Sequence, residues 1–188
     1  MTVATLFSTT GLLGYFVLMV LTLGRNWHSS IHRSFVFYLG AMSIWQFAAL
    51  MVSISPDVGN ALIWYRIMST GLGGQFILYL FFILAFLRIV PKPVISFSGW
   101  LLIFALLNST PTGLVIASVS KSKVTGLFIP SFGPLVPLLG ISTYLFLGYA
   151  AFNLATAYRR TKSVQQRNRI RYLLLGACVI GVGTLSNL

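Results

Sequence analysis

Carboxylate, imidazole and thiol side chains, on which most acid–base and metal chemistry depends, are nearly absent from this sequence. Its 188 residues contain one acidic residue, Asp57, together with two histidines and one cysteine. Catalysis by paired carboxylates, acidic ion pathways and carboxylate-bound metals all need more than one acid. His28 and His32 have a helical spacing, but two ligands without a nearby Cys, Asp or Glu make a poor metal site, and we expect a solvated loop there. The sequence therefore predicts a chain without catalytic residues, a metal or another cofactor.

Polar side chains inside apolar stretches are the remaining candidates for a binding site. Gln46 and Gln75 lie deepest in such stretches, where their ordinary role is an interhelical hydrogen bond worth on the order of 1 kcal/mol. The alternative is a small polar spot in an aromatic pocket, which suits a small, mostly apolar ligand. The residues assigned to this predicted ligand pocket are Trp45, Gln46, Trp64, Arg66, Gln75, Tyr79 and Tyr144.

Arg66 follows two aromatic residues, Trp64 and Tyr65, near the start of the third apolar stretch. One interpretation is an interfacial anchor, with the rings at headgroup depth and the guanidinium extended to water. The other turns Arg66 into the bundle, either to pair with Asp57 or to hold an anionic ligand through its planar fork of donors. A cation turned inwards needs a partner, and Asp57 is the only acidic side chain available.

The stretches that must position these residues are long and apolar. Hydrophobic residues make up 57% of the chain and charged residues only 7%, whereas soluble domains are about 25% charged. At about 20 residues for each membrane crossing, the chain has room for six spans. We predict an all-α, polytopic transmembrane helix bundle that forms a single domain. The predicted spans are residues 4–24, 34–54, 64–90, 96–115, 133–158 and 172–188.

Basic residues between the spans predict the orientation. The connectors after spans one, three and five contain ten of the thirteen Lys and Arg residues. Because an excess of Lys and Arg marks the cytoplasmic side, the N-terminus is predicted to lie outside. Six of the ten fall in the connector from Arg159 to Arg171, where they set the topology or contact anionic lipid headgroups or an output domain. These six are Arg159, Arg160, Lys162, Arg167, Arg169 and Arg171. The connector is short and tied to the membrane at both ends, so we expect no nucleic-acid partner.

Small residues four positions apart occur in spans three and six. They let helix backbones approach closely, which favours packing inside the bundle, with a homodimer face as the alternative. The pairs are Ser69 and Gly73, Thr70 and Gly74, and Ala177 and Gly181. We expect Cys178, in the same stretch as the last pair, to be a small buried residue.

Two blocks of the sequence combine small, aromatic and basic residues in a specific order. In the first, Trp64-Tyr65-Arg66 leads to Gly71 and then to an aromatic-rich run over residues 75–82. The second, residues 158–176, has the order Tyr, then Thr-x-Ser, then Arg-x-Arg-Ile-Arg-Tyr-Leu-Leu-x-Gly. Both blocks resemble the N-terminal seven-helix membrane sensor region of bacterial histidine kinases. Residues 184–188 resemble the segment that leads to the last helix of that region.

The resemblance implies a signal-input module in the bacterial inner membrane, joined to a cytoplasmic kinase or similar output, and it implies no catalytic residue in this chain. We expect a seventh helix to follow the six spans. A small apolar or amphipathic molecule would enter from outside between spans two, three and five and shift the sixth helix. Two alternatives are a non-catalytic subunit of a larger membrane assembly and, less favoured because charge inside the spans is scarce, a transporter or channel.

Overall fold

The computed structural model describes residues 3–25, 27–123 and 126–185. The described residues form six helices and one two-stranded hairpin. In chain order they are α1 (Val3–Arg25), α2 (Ser30–Ser53), α3 (Val58–Phe86), α4 (Pro93–Ser109), β1 (Ile116–Lys121), β2 (Phe128–Phe132), α5 (Val136–Arg160) and α6 (Val164–Leu185).

Four helices in the described part of the chain are long and apolar enough to cross a membrane, namely α1 from Ser8, α2, α3 and α5. A fifth helix, α4, is apolar but has only 17 residues. The predicted helical membrane bundle is confirmed, and the hairpin between α4 and α5 is its one addition in the described residues. The last three residues of the predicted sixth span, 186–188, lie outside the described residues.

Helix α3 occupies the centre of the bundle, in contact with α2, α4, α5 and the hairpin. Its residues 74–77 are buried in succession, and successive residues of a helix point in different directions, so α3 is enclosed on all sides at this level. Two glycines bring the neighbouring helices close. A Cβ atom at Gly71 would lie 2.7 Å from the backbone nitrogen of Trp45 on α2, and one at Gly73 would lie 2.7 Å from the Leu106 side chain on α4.

The main core joins α3, α5 and α6. Ile83 of α3, Leu154 of α5 and Ile170 of α6 are fully buried in one cluster, which also contains Ala177. A Cβ atom at Gly181 would lie 3.4 Å from Leu147 of α5. The small residues of span six therefore pack inside the bundle, as the first interpretation predicted.

The hairpin covers one end of α3. Its strands are antiparallel, with Lys121 opposite Phe128, and a bulge lies between Ile116 and Ser118. Residues three apart on a regular strand point to opposite faces, but the extra bulge residue places Ile116 and Val119 on the same buried face. These two side chains pack with Ala61 of α3 in a second, smaller core.

Several helix bounds differ from the predicted spans. Helix α4 ends at Ser109 rather than near residue 115, because Pro111 has no backbone N–H to continue the hydrogen bonds of the helix. The predicted connector over residues 159–171 is mostly helical. Only residues 161–163 separate α5 from α6, so the last basic residues form the first turns of α6. Cys178 was expected to be buried but is exposed, although the preceding Ala177 is buried.

Candidate functional site

Two buried polar atoms of the described residues have no hydrogen-bond partner, one on α3 and one on α5. Gln75 on α3 is only 3% exposed, and its Oε1 atom has no partner among the described residues. The buried hydroxyl of Tyr144 on α5 has none either. The ring of Tyr144 lies 6.2 Å from the ring of Phe76, the residue next to Gln75. Each unsatisfied buried group costs about 1–3 kcal/mol.

Tyr79 lies one helical turn beyond Gln75 and joins α3 to α6. Its hydroxyl donates a hydrogen bond of 2.9 Å to the carbonyl oxygen of Leu173, and its ring lies 5.5 Å from the ring of Tyr38 on α2. The side chain is 4% exposed. Tyr79 of α3 thus contacts both α2 and α6, one helical turn from the unpartnered atom of Gln75.

Three other residues of the predicted pocket lie at different interfaces. The backbone of Trp45 packs against Gly71, as described above, and the Gln46 carboxamide faces α1, where its Cδ atom would lie 3.4 Å from a Cβ atom at Gly11. Trp64 makes an edge contact with Phe47, with ring centroids 5.6 Å apart. Of the other predicted residues, Gln75 and Tyr79 lie one turn apart on α3, and Tyr144 of α5 contacts Phe76, the residue after Gln75.

Arg66 binds the backbone beyond α4. Its Nε atom donates to the carbonyl oxygen of Ile116 and its Nη1 atom to that of Pro111, each at 3.2 Å. Tyr65 supports the same segment through a 2.7 Å bond from its hydroxyl to the carbonyl oxygen of Phe128. Together these bonds fasten the hairpin to α3.

The alternative interpretation in which Arg66 pairs with Asp57 is wrong. Nine residues of helix separate them, about 13 Å along the axis. Asp57 is instead the N-cap of α3 and accepts from the backbone nitrogen of Asn60 at 2.8 Å and from its Nδ2 atom at 2.7 Å. The backbone hydrogen bond from Asn60, followed by the side-chain one, lowers the pKa of the Asp57 carboxyl below its ordinary value.

The hairpin is the part of this arrangement that the sequence analysis missed. The stretch from Val115 to Ser120 is rich in β-branched residues, and Gly126 follows in the loop with a φ of 68°. A β-branched run followed by a glycine turn is a hairpin signal, and this one lies at the end of predicted span four and in the connector that follows it. The contacts of Tyr65 and Phe76 had no separate signal in the sequence.

The six predicted basic residues at the α5–α6 end are all exposed. Arg159 and Arg160 occupy the last turn of α5, where cations interact favourably with the helix dipole. The guanidinium of Arg167 lies over the ring of Tyr158, 4.5 Å from its centroid. This contact ties the start of α6 to the end of α5 and leaves the cluster facing outwards.

The family described as the N-terminal 7TM region of histidine kinase matches residues 4–188 of the chain. Neither the curated proteins nor the solved structures compared with the chain contain a match. The family match includes both sequence blocks on which the resemblance rests, one on α3 and the other across the junction of α5 and α6. With nearly every residue covered, the chain belongs to the N-terminal seven-transmembrane region of histidine kinases.

Proposed function

We propose that this membrane region binds a small amphipathic ligand between α3 and α5 and passes the signal through α6 to a cytoplasmic output. The family is an input region of a signalling protein, which favours this function over an assembly subunit or a transporter. The observation that carries the proposal is the unpartnered Oε1 atom of Gln75, one turn from the Tyr79 bond to α6.

The chemistry of the interface defines the ligand class. Gln75 Oε1 accepts a hydrogen bond, and the Tyr144 hydroxyl donates or accepts one. A ligand with one donor group recovers part of the free energy that these buried atoms cost. The surrounding rings, including Phe76, favour an apolar remainder of the molecule.

Transmission follows from the contacts of α6. A ligand beside Gln75 displaces the neighbouring turn of α3, and the Tyr79 hydroxyl couples this turn to Leu173. Because Ile170 and Ala177 pack in the same core, α6 moves as a unit with that core. The change in the two-state equilibrium is limited to the difference in the ligand's affinity for the two states.

We place the basic end of α5 and α6 in the cytoplasm and the N-terminus outside the bacterial inner membrane. The excess of Lys and Arg on one side supports this orientation. The six exposed cations would then meet anionic headgroups, at about 1 kcal/mol each. A homodimer would let two input regions act on paired kinase outputs.

A thermal-shift screen of the purified protein tests the ligand site. Compounds from a library of small amphipathic molecules that raise the midpoint temperature of the unmodified chain are retested on Gln75→Met, which retains side-chain volume and removes the unpartnered oxygen. The shift should disappear in this variant. It should persist in Gln46→Met, a matched control at the α1 interface. Equal shifts of the midpoint temperature in both variants would show that Gln75 is not part of the ligand site.

A second experiment tests transmission of the signal through α6 and does not require that the ligand be identified. In the kinase that carries this region, Tyr79→Phe removes the hydroxyl bond to Leu173 and leaves the ring. We expect a several-fold change in basal autophosphorylation of the kinase in lipid vesicles. Tyr149→Phe, on the same core cluster, is the control. A Tyr79→Phe kinase with unaltered activity would contradict the proposed route through α6.

A further inference from the structure

An open cleft of about 680 Å³ lies at the end of α3 opposite the hairpin. Its floor is formed by α3, including Leu78 and Ala85, and its walls are Phe37 of α2 and Trp100 of α4. Phe37 and Trp100 are more than half exposed. The cleft is separate from the interface of Gln75 and Tyr144 and has no part in the function proposed above.

The mouth of the cleft is cationic. Arg33 of α2 and Arg88, just after α3, both line it. The chain's only acidic side chain, Asp57, caps the other end of α3, about 45 Å away along the helix axis. No carboxylate side chain of this chain is therefore available to either guanidinium.

Two helix N-termini add to this positive charge. Helices α2 and α4 both begin at the cleft, where Ser30 and Ser96 line it. Neither helix has an acidic residue in its first turn or a hydrogen bond from its N-cap side chain. The positive ends of both helix dipoles favour an anion at the mouth.

Arg88 occupies a backbone position that ordinarily belongs to glycine. Its φ is 56°, in the left-handed region that costs other residues conformational free energy. The nitrogen of Ile89 donates to the oxygen of Leu84, and the nitrogen of Arg88 donates to that of Ala85, which is the Schellman ending of a helix. Glycine would serve this turn better, so the presence of arginine is explained by its side chain and not by the turn.

The length of the cleft fits one leaflet of a membrane. Leu78 lies ten residues before Arg88, about 15 Å along α3. This equals half of the hydrocarbon core, which is about 30 Å thick. The cleft thus has an anion-binding mouth at headgroup depth and an apolar groove as long as an acyl chain.

We propose that this cleft binds one anionic phospholipid, with its phosphate between Arg33 and Arg88 and one acyl chain along Leu78 and Ala85. The charge of the mouth selects an anionic headgroup, and the groove selects a lipid over a free phosphate. The proposal requires that the helices span a membrane and is independent of the ligand site at Gln75.

Native mass spectrometry of the detergent-solubilised protein tests the proposal, with phosphatidylglycerol and phosphatidylcholine of the same acyl chains as probes. We expect one phosphatidylglycerol to bind about tenfold more tightly than phosphatidylcholine. The double variant Arg33→Gln/Arg88→Gly should lose this preference. Its midpoint temperature in phosphatidylcholine micelles should stay close to that of the unmodified chain, because glycine relieves the strained turn.

A matched double variant separates the site from general attraction. Arg25→Gln/Arg169→Gln also removes two exposed cations from the basic side but leaves the cleft intact, and it should retain the preference. Equal losses in the two double variants, or equal binding of the two lipids to the unmodified chain, would overturn the proposal.

The groove is tested separately from the mouth. Ala85→Trp fills the floor while leaving both arginines, and it should weaken phosphatidylglycerol binding at least severalfold. Inorganic phosphate in large excess should compete poorly with the lipid. Unchanged lipid binding by Ala85→Trp, or full displacement of the lipid by phosphate, would show that the groove binds no acyl chain. The cleft would then be a phosphate site only.

Discussion

At the scale of single residues, charge in this molecule holds backbone in place. Arg66, a candidate for ligand recognition by its type and position, uses two of its donors on the carbonyl oxygens of Ile116 and Pro111. Asp57, its expected partner, closes the first turn of α3 through Asn60. Arg66 therefore fastens the hairpin to α3, and Asp57 caps the helix on which the hairpin packs.

Replacing Arg66 should loosen the hairpin. Arg66→Gln removes two hydrogen bonds from a charged donor, and we expect a loss of about 2 kcal/mol in the free energy of unfolding and faster proteolysis between β1 and β2. Lys121→Gln is the control, since Lys121 makes only a 5.4 Å contact with the Phe128 ring. Equal proteolysis rates for Arg66→Gln and the unmodified protein would show that Tyr65 and the apolar contacts suffice.

Asp57 should make the stability of the protein sensitive to acid. The pKa of its carboxyl is lower in the folded chain than in the unfolded chain because the ionised form accepts both bonds from Asn60. Its stabilisation is thus fully present above the unfolded pKa and is lost as the pH falls through the folded pKa. The midpoint temperature of thermal unfolding, measured from neutral to acid pH, should fall less steeply in Asp57→Asn, which retains an N-cap side chain. A decline as steep as that of the unmodified protein would assign the acid sensitivity elsewhere.

At the scale of elements, the α2–α3 crossing depends on a single missing methyl group. A Cβ atom at Gly71 would lie 2.7 Å from the Trp45 backbone nitrogen and 3.1 Å from the Ala41 carbonyl oxygen. Moving two helix backbones apart costs more free energy than rotating a flexible side chain. The crossing therefore sets how deeply α2 and α3 interlock.

Gly71→Ala should separate the two helices and cost about 1–3 kcal/mol of stability. Gly40→Ala on α2 is the matched control, because a Cβ atom there has nothing within 4 Å and alanine favours helix by about 0.5–1 kcal/mol. The midpoint temperatures in detergent should move in opposite directions. A Gly71→Ala protein as stable as the control variant would mean that the crossing relaxes freely.

At the scale of the whole molecule, the hairpin and the junction of α5 and α6 lie at opposite ends of the bundle. In a background with Cys178→Ser, a single cysteine at Ser120→Cys marks the hairpin, and one at Ser163→Cys marks the basic junction. A membrane-impermeant maleimide applied to intact cells should label the first and reach the second only after the membrane is opened. The reverse pattern would place the N-terminus in the cytoplasm.

The sequence predicted the architecture better than the site. Apolar stretches of membrane length and the distribution of Lys and Arg are local properties, so the bundle followed from them directly. The predicted ligand pocket joined residues of similar type on spans two, three and five. The direction of a side chain depends on the rotation of each helix about its axis, and near-uniform apolar faces such as those of α3 leave this rotation unspecified.

The sequence by itself determined that this protein is a helical membrane bundle with a single acidic residue, and two blocks of residues indicated its family. Tertiary structure alone decided that Gln46 faces α1 while the Oε1 atom of Gln75 is buried without a partner, and that Arg66 fastens a hairpin instead of pairing with Asp57. The physical reason is the distance over which each interaction acts. Hydropathy and charge act through the membrane on each segment separately, whereas a hydrogen bond needs two atoms within about 3 Å, and only the packing of distant segments sets that distance.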